Sequence, residues 1–389
     1  MDPQIQAIAG AARAERYEPD VAGAGRTMRT ILRVAVLTAA AVVFVHILVD
    51  DNRPNWLALL PGVVLVAALI HLAARFLSQR QLADRLSGPG EVRPADGFVP
   101  DPELFPFESK WFESSVGRVH YIDEGHGRPL LLMHGNPDWS FLYRRMIPLL
   151  RDDFRCIAMD YPGFGLSDHP ESYGYRPGDH GQIVTELVRH LDLQDAVILG
   201  QDWGGPIGMD VAARDPERFT GLVFGNTFFF PALRLQRIFG TIVNSDIARH
   251  QVMKRSLFVR RMLPALVQVH LSDGELAHYD DVAPTYRSRI GHATFLASIV
   301  GEDRWLAELE LRVDATLLDK PMLRILGYKD KPLTTKEFVA KWDEKYPDAV
   351  TLDLPDAGHF WQEDEPEQVS AAIRNTFARQ PTENEEVQP

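Results

Sequence analysis

The sequence predicts an α/β protein: a mostly parallel sheet with helices on both faces and a helical insertion over one edge. Three observations predict it. Short apolar runs alternate with helix-spaced segments from about residue 109 onward. Several of those runs end in sharp turns, among them His134-Gly135-Asn136-Pro137 and Tyr161-Pro162-Gly163. A long aromatic and aliphatic stretch, about 228–312, breaks the alternation.

The N-terminal region comes first. Ile31 to Val49 is apolar apart from Arg33 and His46, and Trp56 to Ala74 is apolar apart from His71. Each run has 19 positions, or about 28 Å as a helix, near the hydrocarbon thickness of a bilayer. Asp50-Asp51-Asn52-Arg53-Pro54 separates them. The pattern predicts a transmembrane hairpin over 31–77, after an N-terminal segment 1–30. Arginines flank both outer ends, and the hinge carries Arg53 alone. That asymmetry orients both termini and the following domain to the cytoplasmic side of an inner membrane, with lipid as a partner. The competing reading is a pair of buried helices packed on the following domain. A cleaved signal peptide fits poorly, because the first run starts far from Met1 and a second follows.

Residues 78–100 are rich in proline and glycine and read as a linker. Ser109 to Ser115 and Arg118 to Asp123 form a hairpin around Val116-Gly117. Pro129 to Met133 is a buried strand, Phe141 to Leu150 a helix, and Phe154 to Asp160 the next strand. Gly181 to Leu191 has helical spacing of Ile183, Leu187, Val188 and Leu191. Ala196 to Leu199 and Leu222 to Gly225 are strands around a helix from Gly205 to Ala213. Pro321 to Leu326 and Val350 to Leu354 are the last strands, with a helix over Lys336 to Lys345 between them. Gln368 to Arg379 closes a domain spanning 101–380, ahead of a polar, acidic and disordered tail, 381–389. The insertion at 228–312 forms a cap over the strand ends, where α/β sheets bind ligands, and makes the site enclosed and apolar.

Composition narrows the function. With 45% hydrophobic and 24% charged residues, the 389-residue chain folds rather than staying disordered. A net charge of -13 gives no basic footprint and argues against nucleic acid as a partner. The single cysteine, Cys156, sits in an apolar strand as a small core residue, so no disulfide framework exists.

The chemistry centres on Gly200-Gln201-Asp202-Trp203-Gly204. A buried strand, a sharp turn and a helix start surround it, and the pattern Gly-x-Nuc-x-Gly is the nucleophile elbow of α/β-hydrolases, with an aspartate in the usual serine's place. A carboxylate displaces a leaving group from saturated carbon and forms an enzyme ester. His359 follows the last strand, and Asp330 follows the one before it. The order nucleophile, acid, histidine is that of the fold. His134-Gly135-Asn136-Pro137 follows the third strand, where this fold places an oxyanion-hole donor. Taken singly, Asp330 reads equally as a helix cap, and His359 and His134 as turn histidines. Their joint order favours a catalytic site.

Three motifs resemble those of the haloalkane dehalogenases: His134 to Arg144, Asp160 to Asp168, and Gly200 to Pro206. The resemblance spans about Asp101 to Ala378. It implies an eight-stranded α/β-hydrolase domain that converts haloalkanes to alcohol and halide through an aspartyl ester, with no metal or organic cofactor. It places the halide-binding donors on Trp203 and Asn136, and the oxyanion hole on the backbone N–H groups of the same two residues. Some members carry the triad acid after an earlier strand. Here that position falls at Asn226-Thr227, so Asp330 takes the role, and the combination with Asn136 resembles the third subfamily. The runner-up is an epoxide hydrolase, with Tyr279 and Tyr286 as acids. Fluoroacetate dehalogenases match less well, since their elbow usually carries arginine where Trp203 stands. An inactive, membrane-tethered binding protein is a further alternative. A serine esterase fails on Asp202.

Overall fold

The computed structural model describes residues 92–93, 97–256 and 258–378. Among them, eight strands form one sheet. They are β1 (Lys110–Ser114), β2 (Gly117–Glu124), β3 (Arg128–Met133), β4 (Phe154–Met159), β5 (Ala196–Asp202), β6 (Phe219–Thr227), β7 (Met322–Gly327) and β8 (Val350–Leu354). Their order in space is β1-β2-β4-β3-β5-β6-β7-β8. β1 and β2 are an antiparallel hairpin, and β2 runs antiparallel to β4. Every other pairing is parallel. The carboxyl ends of β3, β5, β6, β7 and β8 therefore share one edge.

Parallel strands need crossovers, and helices supply them. Helix α1 (Pro177–His190) starts on a proline and accepts the Arg176 N–H on Asp179 Oδ2 at 3.1 Å. Helix α2 (Gly204–Arg214) follows β5 directly. Alternation along a strand splits the core in two. On β3, Leu131 and Met133 join Val184, Leu187 and Ile207 of α1 and α2 on one face. Leu130 and Leu132 join Ile147, Leu150, Val369 and Ile373 on the other. Burying each such side chain stabilises the fold by roughly 1.5–3 kcal/mol.

Between β6 and β7 lie helices α3 (Arg234–Val243), α4 (Asp246–Arg255), α5 (Asp273–Asp281), α6 (Ile290–Gly301) and α7 (Asp303–Thr316). They form the cap. Helices α8 (Lys336–Lys345) and α9 (Pro366–Phe377) complete the sheet's cover.

Two expectations are corrected. The helix expected over Phe141 to Leu150 is instead a 3-10 turn, Ser140–Tyr143, and a short helix, Ile147–Leu150. Pro148 sits in the first turn of the second piece, because its ring clashes with a carbonyl four residues earlier in any continuous helix. The second correction concerns the membrane. Among the described residues no helix is long and apolar enough to cross a bilayer. The longest, α1 and α7, have 14 residues, about 21 Å against the roughly 30 Å of a hydrocarbon core. The two transmembrane helices over 31–77, lipid as a partner and an inner-membrane location thus lack a spanning helix to rest on and are not carried further. Those residues, the segment 1–30 and the tail 381–389 lie outside the described residues.

Candidate active site

β5 delivers Asp202 at its last position, with a backbone φ of 50°, the left-handed region that costs a non-glycine residue energy. A Cβ on Gly200 would run into the Gly204 carbonyl, and one on Gly204 into the Met133 carbonyl of β3. The bend therefore requires glycine at both positions. From β6, the Thr227 hydroxyl donates to the Asp202 carbonyl at 2.5 Å and braces the turn. The carboxylate raised in this way is oriented. Its Oδ1 accepts the Asn136 backbone N–H at 2.9 Å, and its Oδ2 lies 3.5 Å from His359 Nε2.

His359 stands on the loop after β8. Its backbone N–H donates to the Leu266 carbonyl at 3.1 Å, and its carbonyl accepts from Gln201 Nε2 at 3.0 Å. Its Nδ1 meets Asp330 Oδ2 at 2.6 Å. Asn226 Nδ2 donates to the same carboxylate oxygen at 2.9 Å. Asn226 also grips the end of β7, accepting the Gly327 N–H at 2.7 Å and donating to its carbonyl at 3.0 Å. Asp330 does not cap α8: Thr335 does, accepting the Phe338 N–H. Burial opposes a charge on His359, but the carboxylates of Asp330 and Asp202 outweigh it and raise the imidazole to about 10. The ring lies between two carboxylates, both of which favour its protonated form.

Asn136 Nδ2 donates to the His292 carbonyl of α6 at 3.2 Å, so one of its two N–H bonds is committed to the cap. Trp203 is packed between Phe228 and Phe295, with ring centroids 5.1 and 5.6 Å away. A cavity of about 140 Å³ is lined by Asn136, Asp202, Trp203, Asp330 and His359, and is otherwise walled mainly by apolar side chains such as Phe228, Phe239, Leu296 and Phe338. All five site residues expected from sequence meet there. The two tyrosines do not: among the described residues no tyrosine lines the cavity. Tyr279 donates its hydroxyl to Glu363 at 2.5 Å, and the ring of Tyr286 faces His250 at 6.2 Å. Their role as epoxide-protonating acids is corrected on that ground.

Sequence reasoning missed the residues that hold the site in place. Asp160 is one. Burial works against its charge, yet His120 and backbone bonds keep the carboxyl below its usual range. It accepts the Ser140 N–H at 2.7 Å, the Leu166 N–H at 2.9 Å and His120 Nδ1 at 2.8 Å, which fixes the loop that carries Asn136. Gln201, Asn226 and Thr227 are others. Their signal was a polar residue at the end of an apolar strand, where the core offers no reason for it. His134 shapes its turn: it bonds the Gly135 carbonyl through Nδ1 and the Tyr161 N–H through Nε2, and burial pushes it down to about 4. Cys156 is fully buried.

Comparison with known proteins matches this geometry. Residues 128–366 match the alpha/beta hydrolase fold family. Haloalkane dehalogenase 2 of Mycobacterium tuberculosis is 46% identical over 281 residues, covering 72% of this chain and 98% of the relative. A cis-3-alkyl-4-alkyloxetan-2-one decarboxylase of Shewanella oneidensis is 30% identical over 304 residues, covering 74% and 93%. The crystal structure of a haloalkane dehalogenase from Bradyrhizobium elkani superposes with a TM-score of 0.64 at 24% identity, covering 69% of this chain and 97% of that one, a likeness of fold. At 46% identity over nearly the whole length of the mycobacterial enzyme, the relationship is one of descent, and this chain belongs to the haloalkane dehalogenase family of the α/β hydrolases.

Proposed function

We propose the following roles for the residues of domain 101–380 in the hydrolytic dehalogenation that this chain carries out. Asp202 is the nucleophile. Its Oδ1 is tethered by the Asn136 N–H, so Oδ2 is the oxygen that attacks the halogen-bearing carbon as the C–X bond breaks. The indole N–H of Trp203 and the free amide N–H of Asn136 receive the departing halide. Preorganised donors of this kind are worth roughly 3 kcal/mol each in a dry site. The product is an alkyl ester of Asp202.

Esterification neutralises Asp202. The His359 cation then loses one of the two anions that stabilise it, which favours its shedding a proton and acting as base. Water gives a proton to Nε2 and attacks the ester carbonyl. Backbone N–H groups of Asn136 and Trp203 stabilise the oxyanion, while Asp330 orients the ring and balances its returning charge. Alcohol, halide and a proton leave.

The observation that carries this reading is the juxtaposition of an aspartate elbow, an Asp330-bound His359 and a mostly apolar cavity. The test is His359→Ala with a bromoalkane. Bromide equal to one turnover should appear, and intact mass should show the alkyl group retained on Asp202. No retained alkyl group with any bromoalkane that the parent enzyme turns over would overturn the two-step scheme. Styrene oxide offered in parallel should give no diol.

A further inference from the structure

One carboxylate outside the cavity fastens the loop of the base. Asp364 is half-buried at the end of the short helix Trp361–Asp364 and does not line the cavity. Its Oδ2 accepts the N–H of Gly358, one residue before His359, at 2.7 Å. Its Oδ1 accepts two more backbone N–H groups, from Gln268 at 2.7 Å and Val269 at 3.1 Å. Those two belong to the cap, just past the short helix Leu263–Leu266. Leu266 lines the cavity, and its carbonyl accepts the His359 N–H at 3.1 Å. The loop of His359 is therefore stitched to the cap twice, once at His359 itself and once through Asp364. The seam is tight: a Cβ on Gly358 would run into the Leu266 carbonyl and lie 3.3 Å from Asp364 Oδ2. The two chemical steps lean on this seam unequally. Alkylation relies on Asp202, oriented by the Asn136 N–H, and on the donors of Asn136 and Trp203, which other elements hold. Hydrolysis needs His359 Nε2 within hydrogen-bond reach of a water that also faces the ester carbonyl, and a 1 Å misplacement there costs about 100-fold.

We infer that Asp364 is a positioning residue for ester hydrolysis: by bridging Gly358 to the cap backbone at Gln268 and Val269, it holds His359 where Nε2 meets the attacking water. The inference rests on the two-step reading above and assigns Asp364 to its second step. The bond changes are unaltered. Water gives one proton to Nε2 as its oxygen bonds to the Asp202 carbonyl carbon. The ester C–O bond then breaks, and the alcohol leaves with the proton that His359 returns.

The test follows both steps in single turnovers of the full-length enzyme with saturating 1-bromohexane. Bromide release reports alkylation, and loss of the alkyl mass from Asp202 reports hydrolysis. Asp364→Ala should release bromide within about twofold of the wild-type rate and lose the alkyl group about 100-fold more slowly, so that the ester accumulates during turnover. Asp364→Asn keeps the outline of the side chain and one acceptor oxygen, and should show the same split at about tenfold. It carries the test alone should the alanine variant not fold. Equal slowing of both steps overturns the inference, since a merely structural role acts on both, and ester loss at the wild-type rate in the variants overturns it as well. Either result leaves the two-step reading standing. Absence of any alkyl group on Asp202 in the wild type and in His359→Ala, across a broad panel of bromoalkanes, brings down both.

Discussion

At the scale of single residues, the site gathers opposite charge around one imidazole. Asp202 and Asp330 flank the His359 ring and favour its protonated form. This has a consequence for stability. His359 is raised from 6.5 to about 10, so its contribution is fully present below pH 6.5 and is lost as pH rises through about 10. The melting temperature of the wild type should therefore fall between pH 7 and pH 10 by more than that of His359→Ala, as read by a calorimetric pH series. A second expectation concerns the halide. Trp203→Phe keeps the ring that packs between Phe228 and Phe295 and removes the indole N–H. It should slow single-turnover bromide release by about 100-fold while leaving stability within about 1 kcal/mol. An equal rate in wild type and variant would remove Trp203 from the halide site.

At the scale of elements, turns and short helices carry the site, and a buried ion-pair network joins them. Arg144, beside the Ser140–Tyr143 turn, donates to both carboxylate oxygens of Glu363 at 2.5 and 2.9 Å, and to Glu275 of α5 at 2.6 Å. Glu363 lies in the short helix Trp361–Asp364 just after His359 and also accepts the Tyr279 hydroxyl. The network thus links the loop of Asn136, the loop of His359 and the cap. Removing one partner of a buried pair leaves a charge with too few counter-charges, which costs about 3 kcal/mol or more. Glu363→Ala should lose that much in urea unfolding and should also lower kcat, through misplaced Asn136 and His359. Much at this scale was legible in sequence. The strands that lead to Asp202, Asp330 and His359 showed as apolar runs closed by turn residues. The helix over Phe141 to Leu150 did not hold, because helical spacing says nothing of the clash that Pro148 makes.

At the scale of the whole molecule, the candidate site lies wholly within one compact unit, whose described residues fall between 92 and 378. A mycobacterial relative is matched over 98% of its length by 281 residues of this chain. A chain starting at Ser87 should therefore fold and release bromide with kcat/KM within about twofold of the full-length protein; loss of folding or activity would show that residues 1–86 complete the enzyme. The apolar runs in that region matched a membrane's thickness, but run length alone is a statement about hydropathy, and no described helix is long and apolar enough to span a bilayer. What the sequence determined by itself was the order of strands, the elbow and the residues that chemistry demands at strand ends. Those features are local: a tight bend needs glycine within two positions, and a nucleophile must sit at the bend. Tertiary structure alone decided the rest. It turned Tyr279 away toward Glu363 and brought Gln236 to the cavity, it gave Asn226 the task of holding Asp330, and it set the charge of His359. Each of these depends on groups about 30 to 160 residues apart meeting across packed layers, and the energy that decides such meetings is burial and convergent charge, which no local pattern of residues encodes.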